Sequence, residues 1–383
     1  MANPSAERRL ILRVETFKSG PFVFTAEYDR ESVNQLILKA DVLWETVKDL
    51  PILPKLASQL REDLIRRSIF GTAAIEGNPL SEEIVGQVIS RPNGSTATER
   101  AQREIQNLKR AYNLLDPNPI KPLVIQEEQI RRLHYMITEG IKHEHNVPGV
   151  YRNHIVKVGD SDHGGTYTPP KIIEDILNLM GHFCTWMNQQ EILQLPAFVR
   201  AAIAHYHLAV IHPFSDGNGR VARLIEAMIL RASGIDYVPV MLSNFYYRNL
   251  DDYFWAFSRA EKNQDHQITD FLAFILSAVV WSLTEIKGNI IHFIRQFTLR
   301  DYYQFLSSEG KLKRRQHDLM SILLDKPTPF SLADLFTDPR FQVLYRNVHE
   351  RTARRDLKQL CDMALLECKK DQYNLNYRVV GLI

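Results

Sequence analysis

Cysteine is scarce: 383 residues contain three, Cys184, Cys361 and Cys368. Three thiols cannot build a disulfide framework, and no CxxC or Cys/His cluster suggests structural zinc. The expectation is reduced, buried thiols in a cytosol. Long apolar runs are also missing. The most apolar stretch, Phe271 to Leu283, falls short of the ~20 residues a spanning helix needs, so it reads as a buried helix and no membrane partner is expected. Glu7, Arg8, Arg9, Arg13 and Glu15 interrupt any signal-peptide core. Charge of one sign is lacking too: 47 basic against 45 acidic side chains give a net of +2. A protein that coats nucleic acid along its whole length would carry more. Internal repeats and low-complexity tracts are absent. What is present is ordinary globular composition, 45% apolar and 24% charged, which excludes wholesale disorder. The length suggests two or three domains.

Strand-like alternation is rare and helical periodicity common, so the fold class is all-α. Patterns cover 31–48 and 54–75, separated by Pro51 and Pro54. Thr96 and Glu99 make a capping box for a helix running to about Leu115, stopped by Asp116-Pro-Asn-Pro119. Further helices are expected over 126–140, 171–188, 196–210, 219–233, 248–261 and 268–290. One segment differs. Between Gly149 and Pro170, two short β-branched runs flank a Gly-rich turn, the pattern of a hairpin.

The charge is unevenly spread. Residues 301–383 hold 14 Lys/Arg and 11 Asp/Glu, leaving a net of −1 on the first 300. This tail has helix patterns at 313–324, Leu332–Phe336 and Asn347–Cys361, then strand-like runs at Leu365–Lys369 and Tyr373–Val380. That is the order of a winged helix-turn-helix.

The most informative stretch is Ile211-His-Pro-Phe-Ser-Asp-Gly-Asn-Gly-Arg220-Val-Ala-Arg223. It lies between two helical patterns. Gly217-Asn-Gly219 permits positive φ, so successive N–H groups can form a nest at the start of a new helix: a phosphate cradle. Arg220 and Arg223 share a face and can reach further phosphates. Asp216 is a hard oxygen ligand suited to Mg²⁺ that also holds phosphate oxygens. His212 has the near-neutral pKa of a general base. There is no GxxxxGK[ST], so the site is not a P-loop.

The stretch His212 to Arg223 resembles the signature of Fic-domain proteins, HPFx(D/E)GNGRxxR, at every defined position. Ala204-His205 and Ile211 resemble the family's lead-in helix, and the resemblance extends from about 60 to 285. It implies a mainly helical Fic fold with a β-hairpin flap, and transfer of AMP from ATP to a hydroxyl on a protein. It also implies a mostly cytosolic setting. His212 would deprotonate the target hydroxyl and Phe214 would pack into the core. Asp216 would hold Mg²⁺ against the α- and β-phosphates. Gly217, Asn218 and Gly219 would bind phosphates through backbone and amide groups, and Arg220 and Arg223 would bind the β/γ end.

Thr72-Ala-Ala-Ile-Glu-Gly77 reads alone as a helix C-terminus closed by Gly77. It also resembles the family's inhibitory motif (S/T)xxxE(G/N). The resemblance implies that Glu76 pairs with Arg223 and denies it to the γ-phosphate. In some relatives this glutamate also assists AMP removal. Tyr151 to Pro170 resembles the target-docking flap, with Ile155, Val156 and Val158 as its strand and His163 to Thr168 as its return. Aromatics follow the motif at Phe245, Tyr246, Tyr247, Tyr253, Phe254 and Trp255, with Tyr253 the candidate adenine contact. In the tail, Arg351, Arg354, Arg355 and Lys358 of segment 346–358 would present cations to DNA phosphates; dimer or protein contact is the alternative use. The expected organisation is an N-terminal region at 1–115, a catalytic core at 116–290 and a winged-helix-like domain at 291–383, in a possible homodimer. Competing readings are a DNA-binding regulator whose core senses nucleotide or modifies itself, and the same core using another donor such as UTP.

Overall fold

The computed structural model describes residues 10–90, 99–114, 123–235 and 237–378. The polar stretch from Arg91, the capping box at Thr96 and the stop at 116–119 lie outside them. The fold is mostly helical with a few small sheets. The chain divides into two compact units, Met1–Asp49 with Pro54–Lys287 and Leu50–Leu53 with Gly288–Ile383.

In the first unit an antiparallel hairpin, β1 (Ile11–Val14) and β2 (Phe22–Thr25), precedes the helices. Its apolar residue Phe24 is fully buried near Phe183, Trp186 and His207. The Asp175 carboxylate ties its turn by accepting from the backbone N–H groups of Phe17 and Lys18. The helices follow as α1 (Arg30–Lys48), α2 (Pro54–Ile75), α3 (Glu82–Ser90), α4 (Arg100–Asn113) and α5 (Glu127–Thr138). Then come β3 (Val158–Asp160), β4 (Gly165–Tyr167), α6 (Ile173–Met187), α7 (Gln190–Leu193), α8 (Ala197–Ile211) and α9 (Asn218–Ala232). The unit ends with α10 (Leu242–Arg248), α11 (Leu250–Glu261) and the first part of α12 (Thr269–Ser308).

Helix α8 is the axis of this unit. Residues Phe198 through Leu208 are all buried, and the helix packs along α9. A helix apolar all round must be enclosed by other elements. Helix α2 crosses α10 at Gly71, where a Cβ would come within 2.7 Å of the Ser243 carbonyl oxygen. This close approach brings the C-terminal end of α2 to the start of α9.

The apolar run Phe271–Leu283 belongs to a helix of 40 residues, far longer than the 268–290 expected. By length and composition α12 would suffice to cross a bilayer, yet 56% of its apolar window is buried within the protein, as in a core helix. Helices α3, α7 and α10 were not foreshadowed by periodicity; all are short.

The second unit holds α13 (Arg314–Asp325), β5 (Phe330–Ser331), α14 (Asp334–Thr337), α15 (Pro339–Tyr345), α16 (Glu350–Asp362), β6 (Leu366–Lys369) and β7 (Gln372–Leu375). The three strands form an antiparallel sheet in the order β5-β7-β6. Leu319, Leu323, Phe341, Tyr345, Leu357 and Leu360 are fully buried in its core. A buried carboxylate, Asp356, links the helices: it takes Arg315 at 2.7 Å and lies 3.4 Å from the Tyr345 hydroxyl. The expectation of reduced thiols fails here. Cys361 and Cys368 form a disulfide, because the end of α16 and strand β6 bring their Cα atoms to 6.4 Å, within bridging range. Cys184 is free and half-buried.

Candidate active site

The site forms where α8 ends and α9 begins. His212 caps α8 in the left-handed conformation, φ 50°, with its N–H donating to the Leu208 carbonyl at 3.0 Å. Its ring Nδ1 lies 3.2 Å from the Ala209 carbonyl oxygen. A carbonyl only accepts, so the neutral ring carries its proton on Nδ1 and leaves a lone pair on Nε2. Burial pulls the pKa down to about 4; the Ala209 bond opposes this, and the Arg152 charge adds to it. The ring is therefore neutral, and able to take a proton, at any ordinary pH.

The loop after His212 is held from both sides. Phe214 is buried and stacks on His134, ring centroids 3.7 Å apart and nearly parallel. His134 Nδ1 accepts from the Gly149 N–H at 2.9 Å, so Nε2 carries the hydrogen donated to the Asp216 carbonyl at 3.0 Å. The Asn218 side chain accepts from the Phe214 N–H and donates to the Phe214 carbonyl. Its amide thus closes the loop on itself. Gly217 sits at φ 82°, a conformation side chains disfavour. Asp216 Oδ1 accepts from the Gly217 N–H at 2.7 Å and from Arg220 at 2.8 Å. Burial raises the Asp216 pKa, but Arg220 and the Gly217 bond outweigh it and the carboxyl stays ionised. Arg220 is 4% exposed, and its Nε is buried without a hydrogen-bond partner. An unpartnered guanidinium nitrogen in a nest of this kind fits an anion.

Arg223 meets the end of α2. Its Nε donates to Thr72 Oγ1 at 2.6 Å, and one terminal nitrogen donates to Glu76 Oε1 at 2.6 Å. The other terminal nitrogen lies 3.4 Å from the Tyr253 hydroxyl. Burial works against the Arg223 charge, and Glu76 more than offsets it, so the pKa is raised. The end of α2 is well defined. The Asn78 N–H reaches the Ala73 carbonyl, the Gly77 N–H reaches Ala74, and Gly77 has φ 81°, which is a Schellman closure placing Glu76 at the cap. Gly219 makes room for the pair: a Cβ there would lie 2.5 Å from Glu76 Oε1.

Behind Arg223 runs a buried polar chain; the sequence points to His205, Tyr246 and Tyr253 separately but to neither Glu226 nor the linkage. Tyr253 OH lies 3.0 Å from His205 Nε2, and His205 Nδ1 lies 3.2 Å from Glu226 Oε2. Tyr246 donates to the other Glu226 oxygen at 2.9 Å. His205, Glu226 and Tyr246 are all 1% exposed or less. The spacing between His205 on α8 and Glu226 on α9 has no pattern in one dimension.

Of this polar chain only Tyr253 reaches a cavity of about 320 Å³, whose walls also include Glu76, His212, Gly219 and Arg223. Of the aromatics noted after the motif, Tyr253 and Phe254 line it, joined by Phe257. Tyr253 is buried and stacks on Tyr246 with ring centroids 5.1 Å apart, so only part of its ring faces the cavity. Phe245 packs instead on Phe274 and Trp281, and Tyr247 on Phe70. Trp255 is 37% exposed.

The hairpin β3–β4 walls the cavity through Val158, Thr166 and Tyr167. It is shorter than expected. Only Val158, Gly159 and Asp160 pair, opposite Tyr167, Thr166 and Gly165. Ile155 and Val156 lie before the strand, and Ile155 is 62% exposed. At the tip, Asp160 Oδ1 accepts the N–H groups of Asp162 and His163; toward the stem the same register would set Val156 and Ile155 opposite Pro169 and Pro170, which have no N–H to extend the ladder. His163 bridges Asp160 to Asp251 of α11, and Lys262 donates to the Gly164 carbonyl, fastening the tip.

Residues 124–230 match the model of the Fic/DOC family. "Protein adenylyltransferase Fic" of Aedes aegypti is 26% identical over 320 residues, 81% of this chain and 58% of that protein. "Protein adenylyltransferase fic-1" of Caenorhabditis briggsae is 29% identical over 196 residues, 48% of this chain and 35% of that protein. The chain thus spans 58% and 35% of these two curated relatives, less than two thirds of either. Among solved structures, a Fic family protein from Desulfovibrio desulfuricans G20 superposes with TM-score 0.57 at 19% identity, covering 92% of this chain and 98% of that one. A Fic domain containing signalling protein from Bacteroides thetaiotaomicron superposes with TM-score 0.52 at 20% identity, over 67% of this chain and 95% of that one.

Proposed function

We propose that this chain, which carries a Fic domain over residues 124–230, transfers AMP from ATP to a hydroxyl side chain of a protein. The observation that carries the reading is the neutral His212, with Nε2 unprotonated, placed on one wall of a cavity shared with Gly219 and Arg223. His212 takes the proton of the incoming hydroxyl, which attacks the α-phosphate; pyrophosphate leaves. The N–H groups at the start of α9 and the free Nε of Arg220 receive the phosphates, and Arg223 receives the γ end. Tyr253, Phe254 and Phe257 offer the apolar wall for the base. The lone Asp216 carboxylate fits a magnesium ion whose other ligands are phosphate oxygens and water, and that ion would neutralise charge on the leaving pyrophosphate. The β3–β4 hairpin lends an edge to the target backbone.

The 2.6 Å contact between Glu76 and Arg223 supports self-inhibition. While Glu76 and Thr72 hold Arg223, the γ-phosphate lacks its cation, and Gly77 keeps Glu76 at that point. Incorporation of label from α-labelled ATP tests the reading. Glu76→Gly should label a target or the chain itself, and adding His212→Ala should abolish it. Absence of label in Glu76→Gly across host lysate, or label from UTP instead, would overturn it. Release of AMP from labelled protein would reveal a reverse, hydrolytic use of Glu76.

A second reading rests on the other unit. The exposed face of α16 carries Arg351, Arg354, Arg355 and Lys358, beside a three-stranded sheet. We read this unit as a winged-helix-like domain able to meet DNA phosphates. Arg354 is paired with Glu350 at 2.7 Å, which lessens its charge. Homodimerisation through this unit is the competing use.

A further inference from the structure

We propose that Arg152 is a positioning residue that clasps the base and the hairpin in a fixed relation; this rests on the AMP-transfer reading. Arg152 is 2% exposed. Its three nitrogens each donate at 2.8 Å to a main-chain carbonyl: Nε to His212, and the terminal pair to His154 and Pro170. Its own N–H donates to the Pro213 carbonyl at 2.9 Å. Pro170 follows β4 and His154 precedes β3. One side chain therefore joins both stems of the hairpin to the residue that bears the base.

The arrangement is an expensive way to fill space. Burial pulls the Arg152 pKa down to about 10, and these hydrogen bonds reach carbonyls rather than a carboxylate. A buried guanidinium is tolerated only when its donors are met. It sits at the C-terminal end of α8, where the helix dipole favours a cation. What the geometry secures is the peptide between His212 and Pro213. His212 is a non-glycine residue at positive φ, a conformation that persists only when its surroundings over-determine it. Arg152 grips the carbonyl on that strained unit, so the imidazole and the hairpin edge cannot shift independently.

The hydrogen bonds of Arg152 go to His212, His154, Pro170 and Pro213, not to Gly217–Arg223. Its loss should therefore lower turnover without weakening ATP binding. A misplacement of about 1 Å costs on the order of 100-fold in rate. In the full chain carrying Glu76→Gly, Arg152→Lys keeps a buried cation but cannot reach three carbonyls together, and Arg152→Met removes the donors. The measurements are kcat and KM for labelled ATP, and amide hydrogen exchange over residues 154–170. The expected result for Arg152→Lys is kcat lowered roughly 30- to 100-fold, KM for ATP within about threefold, and faster exchange at both stems. Arg152→Met should be worse in the same direction. Wild-type turnover with unchanged exchange would overturn the clasp, as would a KM for ATP rising as steeply as kcat falls. Failure of both variants to fold would also overturn it, making Arg152 a fold residue. If the Glu76→Gly parent transfers no AMP, the AMP-transfer reading falls, and the exchange data alone then decide the clasp.

Discussion

Releasing Arg223 from Glu76 is the sharpest perturbation available. The pair joins a fully buried guanidinium, side chain 1% exposed, to a carboxylate 26% exposed, at 2.6 Å. A charge-assisted bond of this kind contributes about 1.5–3 kcal/mol. At about 1.4 kcal/mol per factor of ten, Glu76→Gly should shift Arg223 toward the phosphate-competent arrangement by roughly 10- to 100-fold. AMP transfer should rise by the same factor until another step limits the rate. Thr72→Ala removes only the Nε partner and should activate less. The assay is incorporation of label from α-labelled ATP, alongside thermal unfolding and ATP binding of each variant. Equal incorporation by wild type and Glu76→Gly, with both folded and both binding ATP, would refute the reasoning. Activation by Thr72→Ala exceeding that of Glu76→Gly would mean that Thr72 does the restraining.

The acid limb of AMP transfer should lie near pH 4 rather than 6.5, because burial lowers the His212 pKa to about 4; a pH–rate profile of the Glu76→Gly form checks this. Stability should fall over the same window. His134, His207 and His212 all have folded pKa values lowered to about 4, so the unfolded chain binds more protons between pH 6.5 and 4. Denaturant unfolding should show full stability above 6.5 and progressive loss below it. In the second unit, Asp356→Ala removes the buried partner of the part-exposed Arg315 and should cost about 1.5–3 kcal/mol, read as a lower unfolding midpoint. If α16 meets DNA, Arg354→Ala with Arg355→Ala should abolish a gel shift at moderate salt; a wild type that shifts nothing would end that reading.

Legibility in the sequence followed contiguity. The groups from His212 to Arg223 lie within twelve positions, so base, carboxylate, cradle and cations could be read as one chemical object. Amphipathic helices such as α4 and α5 were legible because each buries one face at a regular spacing, whereas α12 was read only over its apolar first part. The short ones were not, since one or two turns carry too little periodicity to register. The flap strand was overdrawn: Ile155 and Val156 have β-branched side chains, yet in the observed register they would face Pro169 and Pro170, which lack the N–H a ladder needs. The thiols were misjudged because pairing depends on Cα separation across a helix end and a strand, which composition does not reveal.

By itself, then, the sequence settled the helical class and grouped the residues proposed to bind phosphate, since both depend on residues near one another along the chain. Tertiary structure alone decided the rest. Crossing α2 over α10 at Gly71 set Glu76 on Arg223 across 147 positions, and packing α8 on α9 enclosed His205 beside Glu226. It also carried Arg152 to the carbonyl of His212. Each of those contacts joins a charged or polar group that is worth burying only when its partner arrives from another element. No local pattern encodes that condition.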